Sequence, residues 1–260
     1  MVKIRKAIIP TAGLGKRMFP LTKQVPKEML FIKGKPMIQW GIEDLLNSKI
    51  EEICIVISPQ KKIIKNYLLK KRIRKLNFVY QEIPQGVCQA ILLAKKFIDN
   101  EPFVLMFLDQ LLFSKIPATK QLIANHNKTK IPAIWTSLVK VPQNEICYFT
   151  GSGFAYQEKR GRLQDIKMLS EQETFAKYKN LNYQIRGFGR TILYPSIFEF
   201  LRKAPFNKKT KEFDYGQAFK DCTKNFPHYG ILLRGRPCDF GTLAGYKYYT
   251  DKLWKRRKES

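Results

Sequence analysis

Three short apolar runs set the limits on what this chain can fold into. Ala7-Ile8-Ile9-Pro10, Ile53-Cys54-Ile55-Val56-Ile57 and Phe103-Val104-Leu105-Met106-Phe107-Leu108 carry no polar side chain on either parity. A strand with one wet face alternates apolar and polar residues, so these runs predict strands covered on both sides. Segments of helical spacing lie between them. Residues 37–49 set Met37, Ile38, Trp40, Gly41, Leu45 and Leu46 in an amphipathic pattern, residues 61–74 form a very basic helix, and residues 89–97 form a third. Phe78-Val79-Tyr80 adds a further strand. Strands alternating with helices predict an α/β fold, with a mixed, mostly parallel central sheet flanked by helices. Function in such folds gathers at the carboxyl ends of the strands, where both the segment after Pro10 and Asp109 fall.

The second half is less regular. Residues 132–140 predict a strand, 150–155 a strand or turn, and Arg160-Gly161-Arg162 a hairpin turn leading into 163–169. Residues 187–193 and 231–237 read as strands, 196–203 and 214–223 as helices. Residues 243–254 form a last helix, rich in exposed aromatics and ending in a basic tail. No repeat, low-complexity tract or Pro/Gly/Ser linker interrupts the 260 residues, so one domain is expected, with 1–110 and 111–260 as its two halves.

Composition excludes several classes. An apolar share of 44% supports a sizeable core, and no stretch has the length of a membrane span. The basic N-terminus runs straight into a strand, without the apolar stretch and cleavage site of a signal peptide, so a cytoplasmic protein is expected. Cys54, Cys88, Cys147, Cys222 and Cys238 are odd in number and lack C-x-x-C spacing, while His126 and His228 stand far apart. Free thiols are therefore expected rather than a zinc site. Forty-eight Lys+Arg against 21 Asp+Glu give a net charge of +27. Such a field attracts polyanions, although lysine is spread along the whole chain, with clusters only at Lys61-Lys62, Lys65, Lys70-Lys71-Arg72, Arg74-Lys75 and the tail. No nucleic-acid recognition module accompanies it.

The loop Thr11-Ala12-Gly13-Leu14-Gly15-Lys16-Arg17 follows the first strand. Two glycines spaced G-x-G let backbone N–H groups approach an anion, and Arg17 can meet phosphate with a forked set of donors. The loop lacks the third glycine of a dinucleotide fingerprint and the Gly-Lys-Ser/Thr ending of a P-loop, which disfavours both classes. Taken by spacing alone, Asp109 would equally cap the next segment, Asp239 would open a turn before Gly241, and Lys27 would be one surface lysine among many.

The wider context sharpens the reading. Pro10-x-Ala12-Gly13-Leu14-Gly15-x-Arg17-x-x-Pro20-x-Thr22-Lys23-x-x-Pro26-Lys27-Glu28-Met29-Leu30, then Lys35-Pro36-Met37-Ile38-Gln39, resembles the N-terminal signature of the sugar-1-phosphate nucleotidyltransferases. It is most similar to the bacterial uridylyltransferases that act on glucose 1-phosphate. The resemblance continues at Gln81-x-x-Pro84-x-Gly86-x-x-Gln89-Ala90, Leu108-Asp109, Gly189-Arg190-x-Ile192-Leu193-x-Pro195 and Asp239-x-Gly241-x-x-x-Gly245-Tyr246. It implies a Rossmann-like nucleotidyltransferase sandwich that takes UTP and glucose 1-phosphate to UDP-glucose and pyrophosphate with Mg²⁺. By this resemblance Arg17 and Lys27 are catalytic, and Ala12, Gly13, Gly15, Gln81 and Gly86 bind nucleotide. Glu171 and Gly189 would bind the sugar phosphate, and Asp109 and Asp239 the metal. A homo-oligomer is also expected.

The chain departs from the pattern at definite places. Lys16 stands where Thr or Ser is usual, Gln110 where a second acidic residue is common, and Gly86-Val87-Cys88-Gln89 leans towards the thymidylyltransferase variant. The nearest match to a Val-Glu-Lys-Pro motif is Leu169-Ser170-Glu171-Gln172-Glu173, which keeps the glutamate and replaces the phosphate-binding lysine by Gln172. Lys167, Lys177 or Lys179 are the candidates to replace it. Two alternatives follow: a thymidylyltransferase of the same fold, or a nucleotide-sugar-binding homologue with little turnover.

Overall fold

The computed structural model describes residues 3–73, 75–129, 132–159 and 162–255. In chain order the elements begin with β1 (Lys6–Pro10), β2 (Phe31–Ile32), β3 (Lys35–Pro36), α1 (Met37–Asn47), β4 (Glu52–Ile57), α2 (Lys62–Lys70), β5 (Leu76–Tyr80) and α3 (Gly86–Leu93). They continue with α4 (Lys95–Ile98), β6 (Phe103–Met106), β7 (Gln110–Phe113), α5 (Ala118–Thr129), β8 (Ile134–Pro142), β9 (Gly153–Lys159), β10 (Arg162–Leu169) and α6 (Glu171–Tyr178). Then follow β11 (Tyr183–Leu193), α7 (Ile197–Arg202), β12 (Phe206–Asn207), β13 (Glu212–Phe213), α8 (Tyr215–Asn225), β14 (His228–Leu232), β15 (Arg236–Asp239) and α9 (Leu243–Lys255).

Nine strands form one mixed sheet in the order β5-β4-β1-β6-β11-β8-β14-β10-β9. β5, β4, β1 and β6 run parallel, as the doubly covered runs require. β11 enters antiparallel to β6, and from there antiparallel pairs dominate, while β14 runs parallel to β8. The parallel character is thus confined mainly to the first half. Alternation explains the apolar runs directly: Ala7 and Ile9 join one core, Ile8 the other. The first core is closed by α1, α2, α5 and α9, the second by α3, α4, α7 and α8.

Three expectations are modified. The helix expected over 61–74 is shorter, ending at Lys70. The strand expected over 231–237 breaks into β14 and β15, because Gly235 adopts φ +149°, where a Cβ would press to 2.6 Å from Ser114. This break frees β15 to leave the large sheet and pair with β7 instead. Three tyrosines of α9 pack against the rest of the chain: Tyr249 is buried, Tyr248 stacks on Tyr148, and Tyr246 Oη donates to Phe31 O at 2.9 Å. The hairpin turn expected around Gly161 lies outside the described residues, though β9 and β10 pair across it.

All five cysteines are free, and only Cys147 is exposed. No described helix is long and apolar enough to cross a membrane. Glu145 is a buried hub for the C-terminal helix, accepting from Arg236 at 2.5 Å and Lys252 at 2.6 Å. Arg236 and Lys252 outweigh burial and hold its carboxyl below the usual range.

His228 generates a prediction. Its ring is 8% exposed, shares a 2.8 Å hydrogen bond between Nε2 and Thr136 Oγ1, and lies against Phe154 and Phe219. Burial pushes its pKa down from 6.5 to about 4. The folded value lies below the unfolded one, so the unfolded chain takes up the extra proton. Stability is therefore full above about pH 6.5 and falls as pH drops towards 4, by about 3 kcal/mol from this ring. Urea unfolding at pH 7 and pH 4.5 is expected to show a smaller pH-dependent loss in His228→Gln than in the parent. Equal losses in the two proteins would contradict this.

Candidate active site

The glycine loop leaves the sheet at the end of β1. Thr11 N and Oγ1 both donate to Val56 O, at 2.7 and 2.8 Å, holding the strand end against β4. Ala12 is buried, and Gly15 takes the left-handed conformation at φ +67° before a 3₁₀ turn over Lys16–Met18. Thr22 Oγ1 donates to Gly15 O at 2.8 Å. A Cβ on Gly13 would meet nothing within 4 Å, so the outer face of the loop is open.

Its underside is pinned by a residue counted above within a basic cluster. Lys61 is buried, and its Nζ donates to Thr11 O at 2.5 Å, Gly13 O at 2.7 Å and Glu28 Oε2 at 2.9 Å. All three ammonium donors are used. Burial outweighs Glu28 and pulls the Lys61 pKa below the usual lysine range. Glu28 lies in the 3₁₀ turn Lys27–Met29, so one buried ion pair fixes the loop, the Lys27 turn and the start of α2 together.

Asp109 follows β6, and Asp239 ends β15. Their meeting is a consequence of register: β15 pairs antiparallel with β7, setting Asp239 opposite Gln110. A Cβ placed on Gly241 would lie 3.0 Å from Asp239 Oδ1 and 3.2 Å from Asp109 Oδ2, so the two carboxylates flank one small cradle that glycine leaves open. Lys27 Nζ donates to Asp109 Oδ2 at 2.8 Å, and Arg17 Nη2 lies 4.0 Å from the same oxygen. Burial alone would raise the Asp109 pKa, but Lys27 and Arg17 outweigh it and hold the carboxyl below its ordinary value. Asp109 and Glu28 in turn outweigh burial at Lys27 and hold its ammonium above the lysine range. Asp239 is the opposite case. Burial, then the charge of Asp109, push its pKa up, although four donors point at it. Gln110 Nε2, Thr150 N and Thr150 Oγ1 reach Oδ2, and Gly241 N reaches Oδ1, each at 2.8 Å.

Gln110 gives physical meaning to one departure from the family pattern. Its amide nitrogen donates to Asp239 while its oxygen accepts from Gly189 N at 2.6 Å. An acidic residue here would add a third carboxylate and lose the donor. Arg190, fully buried, brackets Asp109 from behind: Nη1 donates to Phe107 O at 2.8 Å and Gln110 O at 2.7 Å, and Nε to Asp44 Oδ2 at 3.1 Å.

The remaining candidates form two other groups. Gln81 Nε2 donates to Gly86 O at 3.0 Å and to Gln89 Oε1 at 2.6 Å, at the N-terminus of α3, where Glu212 from β13 leans over Gly86. Glu171 opens α6 behind a capping box in which Ser170 and Glu173 exchange hydrogen bonds. Glu173, at the motif's proline position, supplies both halves of that box, donating from N to Ser170 Oγ and accepting from Ser170 N, which a proline could not do, and Gln172 is exposed on that helix. Arg186 Nη1 reaches Glu171 Oε1 at 3.3 Å.

Arg17, Lys27, Asp109 and Asp239 thus come together, with Gly189 joined through Gln110. Lys61, Glu28, Gln110, Thr150 and Arg186 were given no site role by the sequence, although Glu28 stands in the N-terminal motif and Gln110 among the departures from the family pattern. Lys61 carried one usable signal, since it follows the carboxyl end of β4, where sites form in this fold class. The others depend on contacts between distant segments.

The buried pair is testable. Lys61→Met leaves Glu28 charged and unpartnered, and is expected to destabilise by about 3–5 kcal/mol. The double variant Lys61→Met with Glu28→Met should recover most of that loss. Chemical unfolding of the three proteins checks it, and a Lys61→Met cost below about 1 kcal/mol would refute the staple.

Comparison with known proteins agrees with this geometry. The sequence profile of the family described as Nucleotidyl transferase matches residues 6–171. The UTP–glucose-1-phosphate uridylyltransferase of Mycoplasma genitalium is 33% identical, over 94% of this chain and 89% of its own length. A Streptococcus pyogenes enzyme of the same name is 36% identical, over 78% of this chain and 73% of its own. A crystal structure of UDP-glucose pyrophosphorylase complexed with UDP-glucose superposes with a TM-score of 0.80 at 26% identity, covering 98% of this chain and all of that one. Agreement at this level along nearly the full length of both chains reflects common descent, and the chain belongs to the nucleotidyl transferase family.

Proposed function

We propose that the protein transfers a uridylyl group from UTP to glucose 1-phosphate, forming UDP-glucose and releasing pyrophosphate. The observation that carries this reading is the cluster of Lys27, Arg17, Asp109 and Asp239 beside an open glycine loop, in a chain similar from end to end to uridylyltransferases. Residues 1–110 would hold the nucleotide and 111–260 the sugar phosphate.

The reaction joins two anions. A phosphate oxygen of the sugar phosphate attacks the α-phosphorus of UTP, the α–β bridging P–O bond breaks, and pyrophosphate leaves with the electron pair. The difficulty is charge rather than proton transfer, so stabilisation must be electrostatic. Gly13 and Gly15 offer backbone N–H groups to the triphosphate from a face that no side chain blocks. Arg17, 62% exposed along its side chain, is free to turn towards the outer phosphates. Lys27 has further donors beyond the one on Asp109, and would meet the charge shared between the reactants. Gln81 and Gly86 would meet the base.

The donor set fits Mg²⁺: two hard carboxylates facing one cradle, one of them destabilised as an anion by the other. Asp109 and Asp239 would hold the ion, which supplies charge neutralisation on the phosphates. Among the described residues no third His, Cys, Asp or Glu joins them, leaving coordination positions for phosphate oxygens and water. A cytoplasmic setting, where UTP is made, suits this chemistry, and the +27 charge favours encounter with anionic substrates. The same charge would bind other polyanions at low salt. A homo-oligomer is also part of this reading, although Tyr246 and Tyr248 of α9 pack against the protein's own chain. Gln89, held between Gln81 and Gln85, supports thymidylyl transfer as a second reading.

Pyrophosphate release with Mg²⁺ and glucose 1-phosphate, comparing UTP with dTTP, ATP, CTP and GTP, distinguishes these readings. UTP is expected to be preferred, and preference for dTTP would favour the second. Asp109→Asn is expected to lower turnover at least roughly a hundredfold while leaving the melting temperature near that of the parent. Undiminished turnover in that variant would remove Asp109 from the site.

A further inference from the structure

Two arginines of β11 are buried to a similar degree and are satisfied very differently. Arg190 has three acceptors at 2.7–3.1 Å, two backbone carbonyls and Asp44. Arg186, 3% exposed, has one charge partner: Nη1 lies 3.3 Å from Glu171 Oε1, on a side chain that is itself 80% exposed. Its Nε is buried with no hydrogen-bond partner. A guanidinium carries five donors in a fixed fork and keeps its charge at any ordinary pH. Burying a guanidinium with its Nε donor unanswered is unfavourable unless something else answers it.

The place of Arg186 says what that would be. Its neighbour Gly187 donates from N to Ser152 O at 2.8 Å, two residues beyond Thr150, which holds Asp239. Three residues along the strand, roughly 10 Å, Gly189 donates to Gln110, which holds the other side of Asp239. Arg186, paired across to Gly153, thus lies on the strand that, together with the segment 150–152, reaches Asp239 through these hydrogen bonds.

We propose that Arg186 binds the phosphate of the incoming sugar 1-phosphate. The assignment rests on the transferase reading above. A phosphate monoester presents several oxygens to a planar fork, the pairing for which a fixed guanidinium is suited. Among the described residues, the side chains that the sequence offered for this role are engaged or exposed elsewhere. Gln172 is neutral and exposed, Lys167 is tied to Glu173 at 3.3 Å, Lys177 lies over the Tyr178 ring, and Lys179 is exposed past α6. Arg17 and Lys27 already face Asp109. Glu171, exposed and 3.3 Å from the same guanidinium, is left to accept hydrogen bonds from sugar hydroxyls.

Steady-state kinetics on the parent, Arg186→Gln and Arg186→Lys test this, varying glucose 1-phosphate at saturating UTP and then the reverse. Arg186→Gln is expected to raise KM for glucose 1-phosphate roughly tenfold or more, the effect of one lost charge-assisted hydrogen bond, with KM for UTP essentially unchanged. Arg186→Lys, which keeps the charge without the fork, should fall between. A purely structural role would move both KM values together or lower kcat alone, and either result overturns the assignment while the transferase reading stands. Absence of turnover in the parent with every nucleotide overturns the reading and this assignment with it. Melting curves accompany the kinetics. If Arg186→Gln melts early, the Arg186→Lys comparison decides, and an unchanged KM for glucose 1-phosphate there overturns the proposal.

Discussion

Two buried carboxylates cannot stand side by side as anions unless positive charge or hydrogen-bond donors hold them there. The structure around Asp109 and Asp239 answers that constraint. Asp109 keeps its charge because Lys27 and Arg17 face it. Asp239 has only neutral donors, four of them, and the charge of Asp109 adds to burial in pushing its pKa up. The pair is left short of positive charge on the side that Gly241 keeps open. A divalent cation carried in with a nucleotide would make up that deficit.

Much of the surrounding fold serves to hold these groups still. The broken strand at Gly235 lets β15 pair with β7, and that short ladder brings Asp239 to Gln110 across a long stretch of sequence. Arg190 ties the turn carrying Asp109 to α1 through Asp44. Lys61 and Glu28 do the same for the glycine loop and Lys27. Both clamps are buried cations, whose desolvation is offset only by the full set of acceptors around them. Glu145 fastens α9 behind β15 by the same means, with the charges reversed.

The central strands were legible because burial on both faces leaves a mark that neighbours in sequence share, as in residues 53–57. The glycine loop, Lys27 and the two aspartates stood out only through the family resemblance, because by spacing alone each had an ordinary structural reading. Lys61 did not stand out, because a lysine in a basic helix looks like surface until three acceptors are found around it. Gln110 looked like a loss and is a donor to Asp239. The break at Gly235 was hidden in an apolar run, and Arg186 gave no local sign at all. These depend on which distant segments meet, and periodicity carries no record of that.

The most direct test is a crystal structure of the protein with UTP and Mn²⁺ in place of Mg²⁺, read by the anomalous signal of manganese. The account predicts a manganese peak bounded by the carboxylates of Asp109 and Asp239 beside Gly241, with the triphosphate along the glycine loop. It also predicts loss of that peak in Asp239→Asn. Ordered UTP with manganese held away from both aspartates, or a peak unaffected by the substitution, would contradict it.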